Sequence, residues 1–492
     1  MQTWKKILIA LAIVFLILAA LGWWVTRGDT ADYNMAQVTG DDPLLAEPDP
    51  ETIPTVQVAT PIGWPDGATP EAAEGLVVQR FAAGLEHPRV IYTLPNGDVI
   101  VAESNAPERV VTGGGGIMGG ITNLVAGFLF RKAGAAVPSA DRLVLLRDAD
   151  GDGVAEQRTV LGSGLSSPSG IAYGNGKLYV ANHDALLSFD YELGQTALTS
   201  APVKLMDLPP AGNHWMRNIL LNPEGTRIYI AIGSASNIGE GGMEIERGRA
   251  AIVEYNLETG KWREYAAGLR NPNGLAWNPW SDELWVTVNE RDQLGSDLVP
   301  DYLTNVPVGA HYGWPWVYWG DTFDERVEAP MPNYLTQYTR RPQYSLGPHV
   351  AALGLVFTQG GSAMPERFSH GAFIARHGSW NRKPASGYDV VYVPFDERGN
   401  PTGKPVQVLN SFLAGEGKTY GRPTWTAWDK TGALLVSDDT ANIIWRISAP
   451  GATPAPEPTR IRGESLPPRR ELIGDPSRAF ESPPADIQPG AF

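Results

Sequence analysis

The sequence predicts an all-β fold, a six-bladed β-propeller, carried behind an N-terminal transmembrane helix. Three observations predict it. A half-blade of two strands and a turn recurs six times. Polar residues fall at nearly the same place in each copy. An uninterrupted apolar run follows a lysine pair near the N-terminus.

The clearest copy starts at Gly268-Leu269-Arg270-Asn271-Pro272-Asn273-Gly274-Leu275-Ala276-Trp277 and continues through Trp285-Val286-Thr287-Val288-Asn289-Glu290-Arg291-Asp292. An Arg-Asn pair sits in a Gly/Pro-punctuated loop, then come an apolar strand, a turn and a second strand, which is half of a four-stranded blade. Going back to the start of the chain, Gly84-Leu85-Glu86-His87-Pro88-Arg89 leads through Pro95-Asn96-Gly97-Asp98 to Val99–Glu103. Gly164 to Gly170 leads through Gly174-Asn175-Gly176 to Leu178–Ala181. Asn213-His214-Trp215-Met216-Arg217-Asn218 leads through Pro223-Glu224-Gly225 to Ile228–Ala231. A worn fifth copy runs from Pro348-His349 through Leu355–Phe357 to Phe373–Ala375. The sixth is Tyr420-Gly421-Arg422-Pro423, then Thr431-Gly432 and Leu434–Ser437. Each unit takes roughly 60 residues, above the usual blade period of about 40–50, so long loops must absorb the excess.

Composition fits this reading. The 492 residues include 55 Gly, 41 Pro and 16 Trp, as many short strands with tight turns require. A net charge of -15 argues against a nucleic-acid partner. With no cysteine there are no disulfides and no thiolate metal sites.

Residues 1–27 read as a cytoplasmic stub and membrane anchor. Lys5-Lys6 precede an apolar run from Ile7 to Val25 that is just long enough to span a bilayer, with Trp23 and Trp24 at its far end. The lysines stay in the cytoplasm, which places a single-pass protein in the inner membrane with its main domain in the periplasm. A cleaved signal peptide is the other reading, but the run is long for one. Residues 28–76, rich in Pro, Ala, Thr and Asp, read as a linker holding the domain off the membrane. Residues 77–448 form the propeller, with an insertion at about 108–138 that reads either as a short capping helix or as an interfacial membrane contact. Residues 449–492 form a Pro-rich tail that wraps the surface or is disordered.

In a propeller the innermost strands line a central channel, and the residues just before them meet at one mouth. Those positions hold His87 and Arg89, Ser169, His214 and Arg217, Arg270 and Asn271, His349, and Tyr420 and Arg422. A cationic ring in an acidic protein implies an anionic ligand, and the planar fork of arginine suits carboxylates. His214 and His349 stand out among the seven histidines because both fall at mouth positions. A neutral imidazole at His214 can accept a proton. Two acidic stretches suit Ca2+: Asp148-Ala149-Asp150-Gly151-Asp152-Gly153, which reads equally as a hairpin turn, and Asn289 to Asp297.

Several ordered motifs carry a family resemblance. The Gly-Leu-Arg-Asn-Pro-Asn-Gly-Leu stretch, Asn289-Glu290-Arg291-Asp292-Gln293-Leu294-Gly295, Val299-Pro300-Asp301-Tyr302, Tyr312-Gly313-Trp314-Pro315-Trp316, His377-Gly378-Ser379-Trp380-Asn381-Arg382, Gly421-Arg422-Pro423 and Ser437-Asp438-Asp439 resemble the sorbosone dehydrogenase group. That group belongs with the sugar dehydrogenases that use pyrroloquinoline quinone (PQQ), and the resemblance covers about residues 77–448. It implies that His214 is the general base and that Arg270 acts with it on the substrate oxygen. It implies that Asn271, Asn273, His349, Arg382 and Arg422 bind the cofactor. The carbonyls of Arg291 and Asp292 would hold a Ca2+ on the quinone. The implied substrate is a sugar or sugar-derived aldehyde, and the implied partner is an electron acceptor, a quinone or cytochrome. The chain departs from the glucose-type pattern at Gly233-Ser234, where an acidic residue is usual, and at Tyr420, where a second cation is usual. A Ca2+-dependent lactonase-type propeller and a non-catalytic carbohydrate-binding propeller are the rival classes.

Overall fold

The computed structural model describes residues 27–51, 53–107, 131–415 and 417–460, together with residues 4, 7–9 and 11–17. Six antiparallel sheets follow one another along the chain. The first blade holds Pro88–Thr93, Val99–Glu103, Arg142–Arg147 and Gln157–Ser163. The second runs from Gly170–Gly174 to Val203–Asp207, the third from Ile219–Leu221 to Trp262–Ala267, and the fourth from Asn271–Trp277 to Tyr344–Pro348. The fifth starts at Ala352–Phe357 and gains Glu71–Ala72 as an extra edge strand. The sixth starts at Pro423–Trp428, and its outermost strand is Val77–Ala83, paired with Ile443–Ser448. One strand from the start of the domain thus completes the last blade, and each inner strand touches the inner strands of its two neighbours in a closed ring.

The turns show why these segments pair. Asn175 and Gly176 carry φ of 54° and 71°, the conformation of a two-residue type I′ hairpin, between Gly170–Gly174 and Lys177–Ala181. Apolar side chains between adjacent blades make the core. Trp285 and Trp445 are among its largest fully buried side chains, and truncation of such a residue costs about 3–5 kcal/mol. At the axis the neighbouring inner strands nearly touch. A Cβ on Gly274 would lie 2.3 Å from the Leu353 carbonyl oxygen, so only glycine fits there. Among the described residues, much of the excess length per unit sits in the long connection 306–343.

Four of the six inner strands share one irregularity. The pairing register shifts between Pro88 and Val90, Pro272 and Leu275, Ala352 and Leu355, and Pro423 and Trp425. Proline has no N–H for the ladder, and a bulge re-aims the neighbouring side chains. Each irregularity falls at the mouth end of its strand.

Residues 28–76 differ from the expected spacer. They lie across the mouth-side loops as a strap. Ala31 N–H donates to the Lys383 carbonyl, Asp49 N–H to Leu294 and Gln57 N–H to Trp380. Gly40 bridges to Ser345, and Thr60–Pro61 pairs with Lys418–Thr419. Trp64 then stacks among Phe412, Tyr420 and Trp445 and donates to Asp438 at 2.9 Å. Backbone hydrogen bonding holds this strap, and composition does not register it. The start of the tail also docks, through paired backbone bonds between Ala455 and residues 361–362. Residues 461–492 lie outside the described residues.

Residues 7–9 and 11–17 are helical. The rest of the expected span, 18–25, and most of the insertion, 108–130, lie outside the described residues. Among the described residues, no helix is long and apolar enough to cross a membrane.

Candidate active site at the propeller mouth

The mouth is built from the starts of the inner strands and from the loops that follow the second strands. The best-defined group in it is His214. Its Nδ1 lies 2.8 Å from the Ser234 carbonyl oxygen, which only accepts, so Nδ1 carries the proton. Nε2 is therefore the bare nitrogen. Burial, then the nearby Arg270 guanidinium, push the imidazole down to about 3, so it stays neutral across the working pH range. Gly233 makes room for this arrangement. A Cβ there would lie 2.4 Å from the Asn271 Oδ1 and 2.6 Å from the His214 Cβ. The departure at Gly233-Ser234 thus has a structural role: glycine admits Asn271 beside the histidine, and the Ser234 carbonyl fixes its tautomer.

Arg270 comes to the same place, but differently from expectation. All five of its N–H groups have protein partners: the Asn237 carbonyl and Oδ1, the Asn289 and Glu290 carbonyls, and the Asp292 carboxylate. These contacts position Arg270 in the mouth, where the resemblance implies an oxyanion role. Arg270 ties the loop after one second strand to the loop after the next. Asn271 is half-buried beside it, 3.3 Å from the Asn289 Oδ1, and Asn273 is buried and turned back onto the Asn271 carbonyl at 3.0 Å.

His349 is not a base. Its Nδ1 faces the Asp292 carboxylate at 3.3 Å and its Nε2 faces the Gly295 carbonyl at 3.1 Å. Both partners are acceptors, so both ring nitrogens carry protons. Burial opposes the charge, but hydrogen bonding and attraction to Asp292 raise the imidazole above its ordinary value. It clamps the 292–295 loop from beneath.

The far side of the mouth is organised on Asp439. This buried carboxylate accepts from Arg89 and lies 2.9 Å from the His377 Nε2 and 3.6 Å from the His87 Nε2. Arg89 reaches across to the Met216 sulfur and the Trp215 ring, beside His214. Arg422 donates to the His377 and Gly378 carbonyls and lies over Tyr388, but among the described residues no carboxylate sits within ion-pair distance of it and its Nη1 meets no acceptor.

Arg382 and the Asp292 carbonyl, two of the expected ligands, have protein partners. Arg382 is spent on the strap: it pairs with Asp297 at 3.0 Å and donates to the Tyr33 and Pro384 carbonyls. Asp297 also accepts the Asp32 and Tyr33 N–H groups. The Asp292 carbonyl, expected on Ca2+, accepts from Asn237 at 3.1 Å and from Arg326 at 3.0 Å. The Arg291 side chain is fully buried among Glu290, Asp324 and the Pro315 and Val317 carbonyls. Arg217 likewise turns away, onto the Pro209, His214 and Met216 carbonyls. Among the described residues, the one carboxylate group spaced for a metal ion is Asp148, Asp150, Asp152 and Glu156. It joins two outer strands at the propeller face opposite the mouth.

Sequence reading missed Asn237, although it follows a second strand just as Asp292 does, and that register is the signal. It also missed Arg326, which lies in the long 306–343 loop and has no repeat equivalent.

A propeller whose axial mouth joins a tautomer-fixed neutral histidine to buried arginines is a small-molecule-binding one. The chain belongs to the TrAA12-like family, whose profile matches residues 142–307 and 320–450, more than half of its length. It is 28% identical over 302 residues to an uncharacterised protein of Borreliella burgdorferi, covering 58% of this chain and 76% of that one. Over 160 residues it is 26% identical to aldose sugar dehydrogenase YliI of Escherichia coli K12, covering 30% of this chain and 41% of that enzyme. Over 134 residues it is 32% identical to the pyrroloquinoline quinone-dependent pyranose dehydrogenase of Coprinopsis cinerea, covering 23% and 18%. The matches thus span less than half of each named enzyme. In fold it is similar to the iodide structure of the Trichoderma reesei carbohydrate-active enzyme of family AA12, with TM-score 0.62 and 18% identity over 80% of this chain and 99% of that one. It is also similar to the holo form of the Coprinopsis cinerea pyranose dehydrogenase PQQ domain, with TM-score 0.59 and 19% identity over 80% and 100%.

Proposed function

We propose that this protein oxidises a sugar or sugar-derived aldehyde, sorbosone-type substrates included, with pyrroloquinoline quinone as its cofactor. The observation that carries the reading is His214, whose Nδ1 is fixed on the Ser234 carbonyl so that Nε2 is left without a proton. The named relatives support it, since they are dehydrogenases of aldoses and pyranoses and one is named for this quinone.

The residues present fit a planar tricarboxylate. Arg422 offers an uncompensated guanidinium with Nη1 unspent, and half-buried Arg89, Asn271 and His377 offer polar edges around the axis. When bound, the quinone supplies an electrophilic carbon that accepts hydride. The protein's own residues do the rest. His214 Nε2 takes the proton from the substrate hydroxyl, or from the hydrate of an aldehyde, as hydride leaves the carbon. Nδ1 keeps its hydrogen bond to Ser234, so the charge formed on the ring is held where the carbonyl stabilises it. Asn271, admitted by Gly233, orients the same oxygen. Arg270 and His349 keep the 289–295 loop in place beneath. Two electrons then leave to an acceptor, a membrane quinone or a cytochrome.

The rival lactonase chemistry needs free carboxylates around an axial metal. Here Asp292 is held by Arg270 and His349, and Asp439 by Arg89 and His377. Placement of the domain in the periplasm, tethered to the inner membrane, rests on Lys5-Lys6 and on the helical start of the apolar run, where Ile7, Leu8, Ile9, Leu11, Ile13, Val14 and Phe15 are all exposed. The test is single-turnover reduction of added pyrroloquinoline quinone across a panel of sugars and aldehydes. Wild type should reduce it about 10²–10⁴-fold faster than His214→Gln. A wild type that binds no quinone would end this reading.

A further inference from the structure

The loop from Glu290 to Asp297 is where the resemblance expects a divalent ion, and a guanidinium stands there. Arg326 Nη1 donates to the Asp292 carbonyl at 3.0 Å and to the Gln293 carbonyl at 2.7 Å. Its Nε and Nη2 form a fork on Asp324, both at 2.8 Å. Asn237 Nδ2 donates to the same Asp292 carbonyl at 3.1 Å, so both lone pairs of that oxygen are taken. The Asp292 carboxylate is held by Arg270 at 2.9 Å. Asp324 has no exposed side-chain surface and also meets Arg291 at 3.3 Å. The fork is thus anchored in the core and is not a surface contact.

A Ca2+ here would need several bare oxygens within about 2.3–2.6 Å. It would have to displace Arg326 from two carbonyls and sit against the charges of Arg326 and Arg270. The planar, delocalised guanidinium already satisfies the adjacent carbonyls, which a point charge on a flexible stem would do less well. We propose that Arg326 is a built-in cation of this loop, fixing Asp292 and Gln293 where a metal ion would otherwise stand, so that the mouth is assembled without Ca2+. Arg326 is a positioning residue. It acts through Asp292 on Arg270 and His349. The consequence that quinone binding is also independent of Ca2+ rests on the functional reading above. The occupation of the loop does not.

The experiment uses the full chain, stripped of metal and carrying Asp148→Asn and Asp150→Asn to silence the acidic loop on the opposite face. Ca2+ alone is titrated in by calorimetry. No site tighter than about 1 mM, the weak end of protein Ca2+ sites, is expected. Adding Arg326→Ala should create one, because the Asp292 and Gln293 carbonyls each lose a charged donor and the Asp324 carboxylate loses one of its two cations, keeping Arg291. A Ca2+ site in the parent that is indifferent to Arg326→Ala would overturn the proposal. If Arg326→Ala does not fold, the parent titration decides alone, since any site tighter than that limit counts against it. Quinone affinity of the wild type should change less than twofold between chelator and added Ca2+, and a tenfold loss in chelator would also overturn it. A protein with no quinone affinity under either condition would sink the functional reading, while the Ca2+ titration would still decide this one.

Discussion

Arg382 separates two views of the mouth most sharply. The resemblance gives it to the quinone carboxylates, and the structure gives it to the strap. Replacing it with alanine removes one member of a buried pair, because its side chain is 3% exposed and that of Asp297 is 8% exposed. Asp297 would keep the Asp32 and Tyr33 N–H groups, at 2.6 and 3.1 Å, but would lose its only cation among the described residues. Breaking a buried pair by removing one partner costs about 3–5 kcal/mol. The strap bears the loss first, since Tyr33 also loses a donor to its carbonyl. Limited proteolysis should therefore cut Arg382→Ala within residues 28–57 faster than wild type, in proportion to the population of the open strap. Denaturant titration, followed by tryptophan emission, should show a lower midpoint. Quinone affinity by calorimetry should stay within about twofold, below the 1.4 kcal/mol that a tenfold change represents. A tenfold or larger fall in quinone affinity with the strap still protected would refute this assignment and return Arg382 to the cofactor.

Other outcomes follow from the same geometry. His214→Gln should lower turnover by about 10²–10⁴-fold, the usual contribution of a general base, with quinone affinity unchanged in calorimetry. Because folding depresses His214 from its ordinary value to about 3, the unfolded chain binds the extra proton between roughly pH 6.5 and 3, so this residue makes stability rise with pH in that window. Denaturant midpoints measured from pH 4 to 7 should accordingly show a shallower rise in His214→Gln. Gly233→Ala drives a methyl group into Asn271 and His214, an overpacking of about 1–3 kcal/mol, and stopped-flow kinetics should show slower quinone reduction with substrate saturating. Arg422→Ala should weaken quinone binding by about 1.5–3 kcal/mol, as for a hydrogen bond to a charged group, and an unchanged calorimetric Kd would remove it from the site.

The repeats show in the sequence where residues sit along the axis, because hairpin chemistry is local. Asn175-Gly176 sets a turn from two residues, and proline with a bulge opens three of the six inner strands, at Pro88, Pro272 and Pro423. His214 was legible for the same reason. Its position before an inner strand fixes its height, and its tautomer partner Ser234 lies just past the next strand. What a repeat cannot give is the partner of a charge, because partners come from other blades and from outside the repeats. The expected free ring of arginines is largely neutralised in this way. Arg89 meets Asp439 across the closure of the ring, Arg270 meets Asp292, and Arg382 meets Asp297 beneath a strap that starts some 350 residues earlier in the chain. Arg422 alone among these four faces no carboxylate. An anionic cofactor at this mouth is therefore drawn mainly to one arginine and is shaped by neutral donors around it. Pairing also explains how the site holds buried cations: Arg89, Arg270 and Arg382 each meet a carboxylate.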